Sequence, residues 1–197
     1  MRIVFAFFAA VLTFPTLVPA AAAAPPASNV VPSDSVSRAE RLDKLFSELK
    51  RASNQNAAGR IANSISQVWS DSGSASIDLM MLWSEKAMRE QKFDVALDFL
   101  DEVVTLRPEF VEGWNRRATV HFMMKNFAKS MADIDKTLQL EPRHFGALSG
   151  LAQIMTETGR KEQALSAWLR VLDLYPMLRN AQAQVAALSE ELAGENI

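Results

Sequence analysis

The sequence predicts an all-α fold, a solenoid of antiparallel helix pairs stacked side by side. Three observations carry that expectation. First, a Leu-x-Pro element recurs at Leu106 and Pro108, Leu140 and Pro142, and Leu174 and Pro176, 34 residues apart both times. Second, each block of that length holds two stretches with apolar residues at helical spacing, joined by a short polar turn. Third, small residues recur at fixed places: Ser84, Ala118 and Ala152 in the first stretches, Ala96, Ser130 and Ala164 in the second. Small residues let two antiparallel helices approach closely.

The chain has 197 residues, of which 49% are hydrophobic, enough for one domain of usual size with a packed core. A formal net charge of -2 gives no basic excess for nucleic acid and no acidic tail. The absence of cysteine excludes a disulfide framework, thiol catalysis, a cysteine zinc site and a lipidated N-terminal cysteine.

Residues 1–24 carry one cation, Arg2, then an apolar run from Ile3 to Leu12, then five alanines from Ala20 to Ala24. This is the pattern of a secretory signal peptide, cleaved on export. The apolar run falls short of the roughly 20 residues of a spanning helix, and Pro15 and Pro19 interrupt it. Residues 25–36, with Pro25, Pro26 and Pro32 among serines, read as a flexible linker. Residues 37–74 read as a helix pair, with capping-box spacing at Ser37 and Glu40. Leu42, Leu45, Phe46 and Leu49 form one apolar face, and Ile61, Ile65, Val68 and Trp69 another. The place one period before Pro108 is Ser74, so the pair is expected to be a degenerate fourth unit.

The regular units are 77–110, 111–144 and 145–178. Their internal turns fall at Gln91-Lys92, Lys125-Asn126 and Thr158 to Lys161, where Gly159 suits a helix C-terminus. The three prolines end each second helix and turn the chain into the next unit. Leu106, Leu140 and Leu174 are expected to wedge between hairpins. Residues 179–193 form an amphipathic helix, with Ala181, Val185, Leu188 and Leu192 on one face, placed to cap the stack.

These blocks resemble tetratricopeptide (TPR) repeats. In the first, Met80, Trp83, Ser84 and Ala87, then Phe93, Ala96, Leu100 and Val103, occupy the family's motif places before Pro108. In the second, Trp114, Arg117, Ala118 and His121 precede Phe127, Ser130, Ile134, Thr137 and Pro142. In the third, Leu148, Leu151, Ala152 and Met155 precede Lys161, Ala164, Trp168, Val171 and Pro176. Arg117 stands where the family has leucine, and Lys161 where it has an aromatic. The resemblance implies a right-handed α-solenoid of three TPR repeats, here with the degenerate N-terminal pair and the C-terminal capping helix. It also implies a concave groove lined by first helices that takes peptide segments.

Carried over by position, the binding wall comprises Met81, Leu82, Glu85, Met88, Arg89, Asn115, Arg116, Thr119, Phe122, Met123, Ser149 and Gln153, flanked by Gly146 and Gly150. Methionines suit adaptable apolar contacts, and Asn115 and Arg116 could bind a peptide backbone or carboxylate. One TPR subfamily clamps C-terminal carboxylates. Its five places are held here by Met81, Glu85, Arg116, Gly146 and Gly150, of which only Arg116 carries the needed charge. Close helix packing is the expected reason for Gly146 and Gly150.

No catalytic set is legible. His121 is expected in the core and His144 in a solvated turn, without metal-ligand spacing. Asp133 and Asp135, like Asp98, Asp101 and Glu102, read as polar helix faces. Trp69, Trp83, Trp114 and Trp168 read as core. The expectation is thus a non-catalytic interaction scaffold or assembly factor, without metal or cofactor. Signal peptide and resemblance together imply an exported, periplasmic protein of the Gram-negative cell envelope, not a lipoprotein. Its partner would be a protein or peptide, not nucleic acid, with no membrane span after cleavage and with homo-oligomers possible. The alternatives are an accessory subunit of a cell-wall or secretion enzyme complex and a self-associating envelope protein.

Overall fold

The computed structural model of the chain describes residues 33–195, with side chains described for 38–194. The expected signal peptide, residues 1–24, and most of the expected linker therefore lie outside the described residues, among which no helix is long and apolar enough to cross a membrane. The helices are α1 (Ser33–Arg51), α2 (Gln55–Ser70), α3 (Ala75–Arg89), α4 (Phe93–Leu106), α5 (Val111–Met123), α6 (Phe127–Leu140), α7 (Phe145–Glu157), α8 (Lys161–Leu174) and α9 (Arg179–Glu195). α1 starts four residues before Ser37, so Ser37 does not cap it.

Antiparallel pairs α3–α4, α5–α6 and α7–α8 form the repeats, and α4–α5 and α6–α7 form the seams between them. The small residues at the hairpin crossings are all buried. Where a serine replaces alanine, its hydroxyl is satisfied: Ser130 Oγ donates to the Ala118 carbonyl at 2.8 Å and Ser84 Oγ to the Met81 carbonyl at 2.7 Å. The intra-repeat turns are alike. Gln91, Lys125 and Gly159, one period apart, all take positive φ. The next amide closes each helix: Lys92 donates to Ala87, Asn126 to His121 and Arg160 to Met155. That is the left-handed helix stop that the glycine in the third turn foretells. α9 packs on α8 and buries Ala181 and Leu188.

The expected helices of residues 37–74 are present, but they do not continue the stack. α2 and α3 make no extended contact. Instead α1 and α2 lie along the edge where the Leu-x-Pro turns emerge. Arg38 and Leu42 of α1 share a cleft with Arg107, Glu109 and Phe110 of the first turn. Asp43 meets Arg143 of the second turn at 2.6 Å, and Lys50 meets Asp173, beside the third, at 2.8 Å. From residue 38 to residue 50 a helix advances about 18 Å, so α1 spans all three turns. α2 returns the same way. Gly59 lies near the Tyr175 hydroxyl, Trp69 stacks on His144 with ring centroids 4.1 Å apart, and Ser72 reaches the cleft of the first turn. The brace has its own core, in which Leu42, Phe46, Leu49, Ile65, Val68 and Trp69 enclose Tyr175 and pack on Phe145, Leu174 and Leu178.

The turns consequently differ from expectation. Leu106 is 54% exposed rather than wedged, while Leu140 and Leu174 are half-buried beneath the brace. Two places after proline, Phe110 and His144 are buried and Leu178 is half-buried; one place before proline, Glu141 and Tyr175 are buried. His144 is 2% exposed, not solvated. Its Nδ1 accepts the Ala147 amide at 3.0 Å and so caps α7, and its Nε2 lies 3.3 Å from Glu112 Oε2. Trp69 and Trp168 are buried as expected, but Trp83 is 45% exposed and Trp114 half-buried.

Candidate functional site

The first helices present one wall, but the structure divides it in two. Toward α3 the wall is charged and internally paired. Arg116 is half-buried between Glu112 at 3.4 Å and Glu85 at 3.7 Å. Glu85 also holds Arg89, one helical turn on. Asn115 Nδ2 donates to Glu112 Oε2 at 3.1 Å. Burial would raise the Glu112 carboxyl, but the hydrogen bond from the His144 ring and the hydrogen bond and charge of Arg116 outweigh it and hold the group below the ordinary carboxylate value. The one cation expected to meet a carboxylate, Arg116, is therefore committed to two acids of its own chain. Met81 is a second correction: at 8% exposure it fills the core beside Ile77 and Leu100 and does not face the groove. Leu82 is 55% exposed, and Met88 packs half-buried on the same core.

Toward α7 the wall opens into a groove of about 390 Å³ between α5 and α7. Asn115, Thr119, Phe122 and Met123 line one side, and Ser149 and Gln153 line the other. Ala118, Ser130, Ile134, Gly146, Ala147 and Gly150 complete the lining, which contains no charged side chain. The α5–α7 part thus gathers six of the twelve expected residues, while Leu82, Glu85, Met88, Arg89 and Arg116 lie apart from it. Phe122 is held by the Phe127 ring, with centroids 5.8 Å apart. Thr119 and Ser149 donate their hydroxyls to the carbonyls of Asn115 and Phe145, leaving Asn115 and Gln153 as the amide-bearing rim.

The two glycines are not explained by close helix packing. A methyl built on Gly150 would meet Ile134 Cδ1 at 3.5 Å, an ordinary contact, and one on Gly146 would meet the His144 ring at 3.3 Å. They give the groove its floor. The glycine that packing demands is Gly113, which was not singled out: a methyl there would lie 2.8 Å from Val103 Cγ1 across the α4–α5 seam. Sequence reasoning also missed Ile134 and Ser130, which reach the groove from the second helix.

Behind the wall sits a buried ion pair that replaces part of the family pattern. Arg117 Nε and Nη2 donate to the two oxygens of Asp133 at 2.8 and 2.7 Å, and Nη1 donates to Asp101 at 2.8 Å. The hydrogen bond to Asp133 leads in holding the guanidinium above its ordinary pKa. The Trp114 ring lies 4.8 Å beneath the same group. Asp133 is 4% exposed, so it is a core residue and not a polar face. His121 is buried as expected, 4.0 Å from Asp133. Burial pushes its imidazole below the ordinary value, against the pull of Asp133.

Comparison with known proteins agrees with the fold. No protein-family profile matches the chain. A TPR repeat-containing protein of Rhizobium etli is 54% identical over 155 residues, covering 79% of this chain and 76% of that protein. Among solved structures, the first TPR of Spaghetti (RPAP3), bound to the HSP90 peptide SRMEEVD, superposes with a TM-score of 0.58 at 23% identity. The match covers 61% of this chain and 95% of that one. The TPR2B domain of yeast Sti1, in a complex described as pHsp70, gives a TM-score of 0.56 at 16% identity, over 60% of this chain and 99% of that one.

Proposed function

The chain belongs to the tetratricopeptide-repeat family, and from that premise we propose that it is a non-catalytic protein-interaction scaffold or assembly factor that holds an uncharged, extended segment of a protein partner in the α5–α7 groove. The groove itself carries the proposal. It is open, floored by two glycines that let a ligand backbone come close, lined by Phe122 and Met123, and rimmed by the amides of Asn115 and Gln153. An amide on each side suits the donors and acceptors of an extended backbone. The solved relative with an HSP90 peptide takes a segment with three acids. Here the neighbouring cations Arg116 and Arg89 are already paired with Glu112 and Glu85, which favours a neutral segment.

The setting we propose is the bacterial periplasm, on the strength of the export pattern in residues 1–24. The test is photocrosslinking in living cells from a photoreactive residue at position 119 or 123, with position 135 on α6 as control. Adducts from 119 or 123 and none from 135 are expected. Adducts from position 135 alone would place the binding face elsewhere.

A further inference from the structure

Because the N-terminal helix pair lies on the turns, no other helix among the described residues packs extensively on the outer side of the first repeat. Comparison one and two periods on shows what that side should bury. Leu79 corresponds to Gly113 and Ala147, both buried in the following seams, but is itself 43% exposed. Lys86 corresponds to Val120 and Ile154, both wholly buried, and is exposed. Phe99 corresponds to the buried Asp133 and Ala167, and it is half-buried against the exposed Trp83, with ring centroids 5.4 Å apart. The opposite end of the stack is different: α9 covers it and shows solvent Gln182, Ser189 and Glu190. Stacks with one bare end and one capped end cannot grow head to tail. They can close only bare end to bare end, as a two-fold dimer.

We propose that the α3–α4 end face is the interface of a homodimer, with Leu79, Trp83 and Phe99 at its centre. The partner surface is a second copy of the same face. Its charges are self-complementary: exposed Lys86 lies on α3 and exposed Glu102 on α4, so α3 of one copy on α4 of the other pairs opposite signs twice. With Leu82 and Leu106 at its margin, the face offers on the order of 400 Å² of apolar surface. A standard interface buries roughly 800 Å² per partner, so the dimer also requires burial of polar surface around this apolar centre. The interface leaves the α5–α7 groove free, so it stands or falls independently of the peptide-binding proposal.

The experiment is light scattering on the full chain as purified after export, at rising concentration up to about 0.5 mM. Twice the monomer mass is expected, with Leu79→Glu giving a monomer of unchanged helical circular dichroism. Lys86→Glu should weaken the dimer at least about tenfold, and Lys86→Glu with Glu102→Lys should restore it. A monomer mass for the unaltered chain at every concentration overturns the proposal. So does a dimer that survives Leu79→Glu, or a double charge swap as weak as Lys86→Glu alone.

Discussion

Replacing Arg117 with leucine restores the residue that the TPR pattern has at that place, yet it should destabilise this protein. The guanidinium makes two of its three hydrogen bonds to Asp133, which is 4% exposed. The third goes to Asp101, whose side chain is 64% exposed, and such a bond is worth less than about 1 kcal/mol. Removing the cation strands a buried carboxylate beside the His121 imidazole, 4.0 Å away, which burial disfavours from carrying charge. Breaking a buried pair in this way costs about 3–5 kcal/mol. At about 2–4 °C per kcal/mol for a domain of this size, Arg117→Leu should lower Tm by roughly 6–12 °C at the low end of that cost. The third repeat supplies the remedy, since the same two places there hold Leu151 and Ala167. Arg117→Leu with Asp133→Ala should return to within about 1 kcal/mol of the starting protein or exceed it, because an apolar pair can replace a buried ion pair without loss. Thermal unfolding followed by circular dichroism reads both. An unchanged Tm for the single variant, or a double variant as unstable as the single one, would refute the reasoning.

Gly113→Ala should cost about 1–3 kcal/mol, because its methyl would lie 2.8 Å from Val103 Cγ1; urea midpoints measure this. Gly150→Ala has an ordinary 3.5 Å contact in its place and should stabilise by up to about 1 kcal/mol while raising the groove floor, so Tm rises as partner crosslinking falls. Stability should decline with acid in two steps. The His121 pKa is depressed from 6.5, so the unfolded chain takes that proton first as the pH falls through 6.5, and folding is weakened from there to the lower folded pKa. The Glu112 pKa is depressed from 4.5, so its contribution is present above that value and lost as the pH falls below it. Urea midpoints between pH 8 and 5 should flatten in His121→Phe while the acid-side loss persists.

The repeats were legible because a fixed period leaves marks at every level. The helix pairs, the small residues at their crossings and the left-handed turn foretold by Gly159 all follow from aligning three prolines. The brace was not legible in the same way. An apolar face such as Leu42, Phe46 and Leu49 says that a helix is covered, but not by what. Two signals were present. Ser74 breaks the proline period, and Phe145 and Tyr175 put aromatic rings beside turns that need none. The ion pair of Arg117 and Asp133 had a signal as well, since both residues depart from the repeat pattern at facing places. Read separately, Arg117 is only a departure from the leucine of the pattern and Asp133 reads as a polar face. Only six of the expected wall residues line the groove, because Met81 turns into the core and Arg116 is neutralised by Glu85 and Glu112.

The bare end face depends on the N-terminal helix pair bracing the three Leu-x-Pro turns instead of forming a fourth stacked repeat. Zero-length carbodiimide coupling, which joins amines to carboxylates already in contact, tests this on the unmodified protein. Lys50 and Asp173 are 2.8 Å apart although 123 residues separate them. Peptide mass spectrometry of the monomer-sized band should therefore find these two side chains joined. Lys50 coupled instead to acids of α3 or α4, with no link to Asp173, would contradict the account.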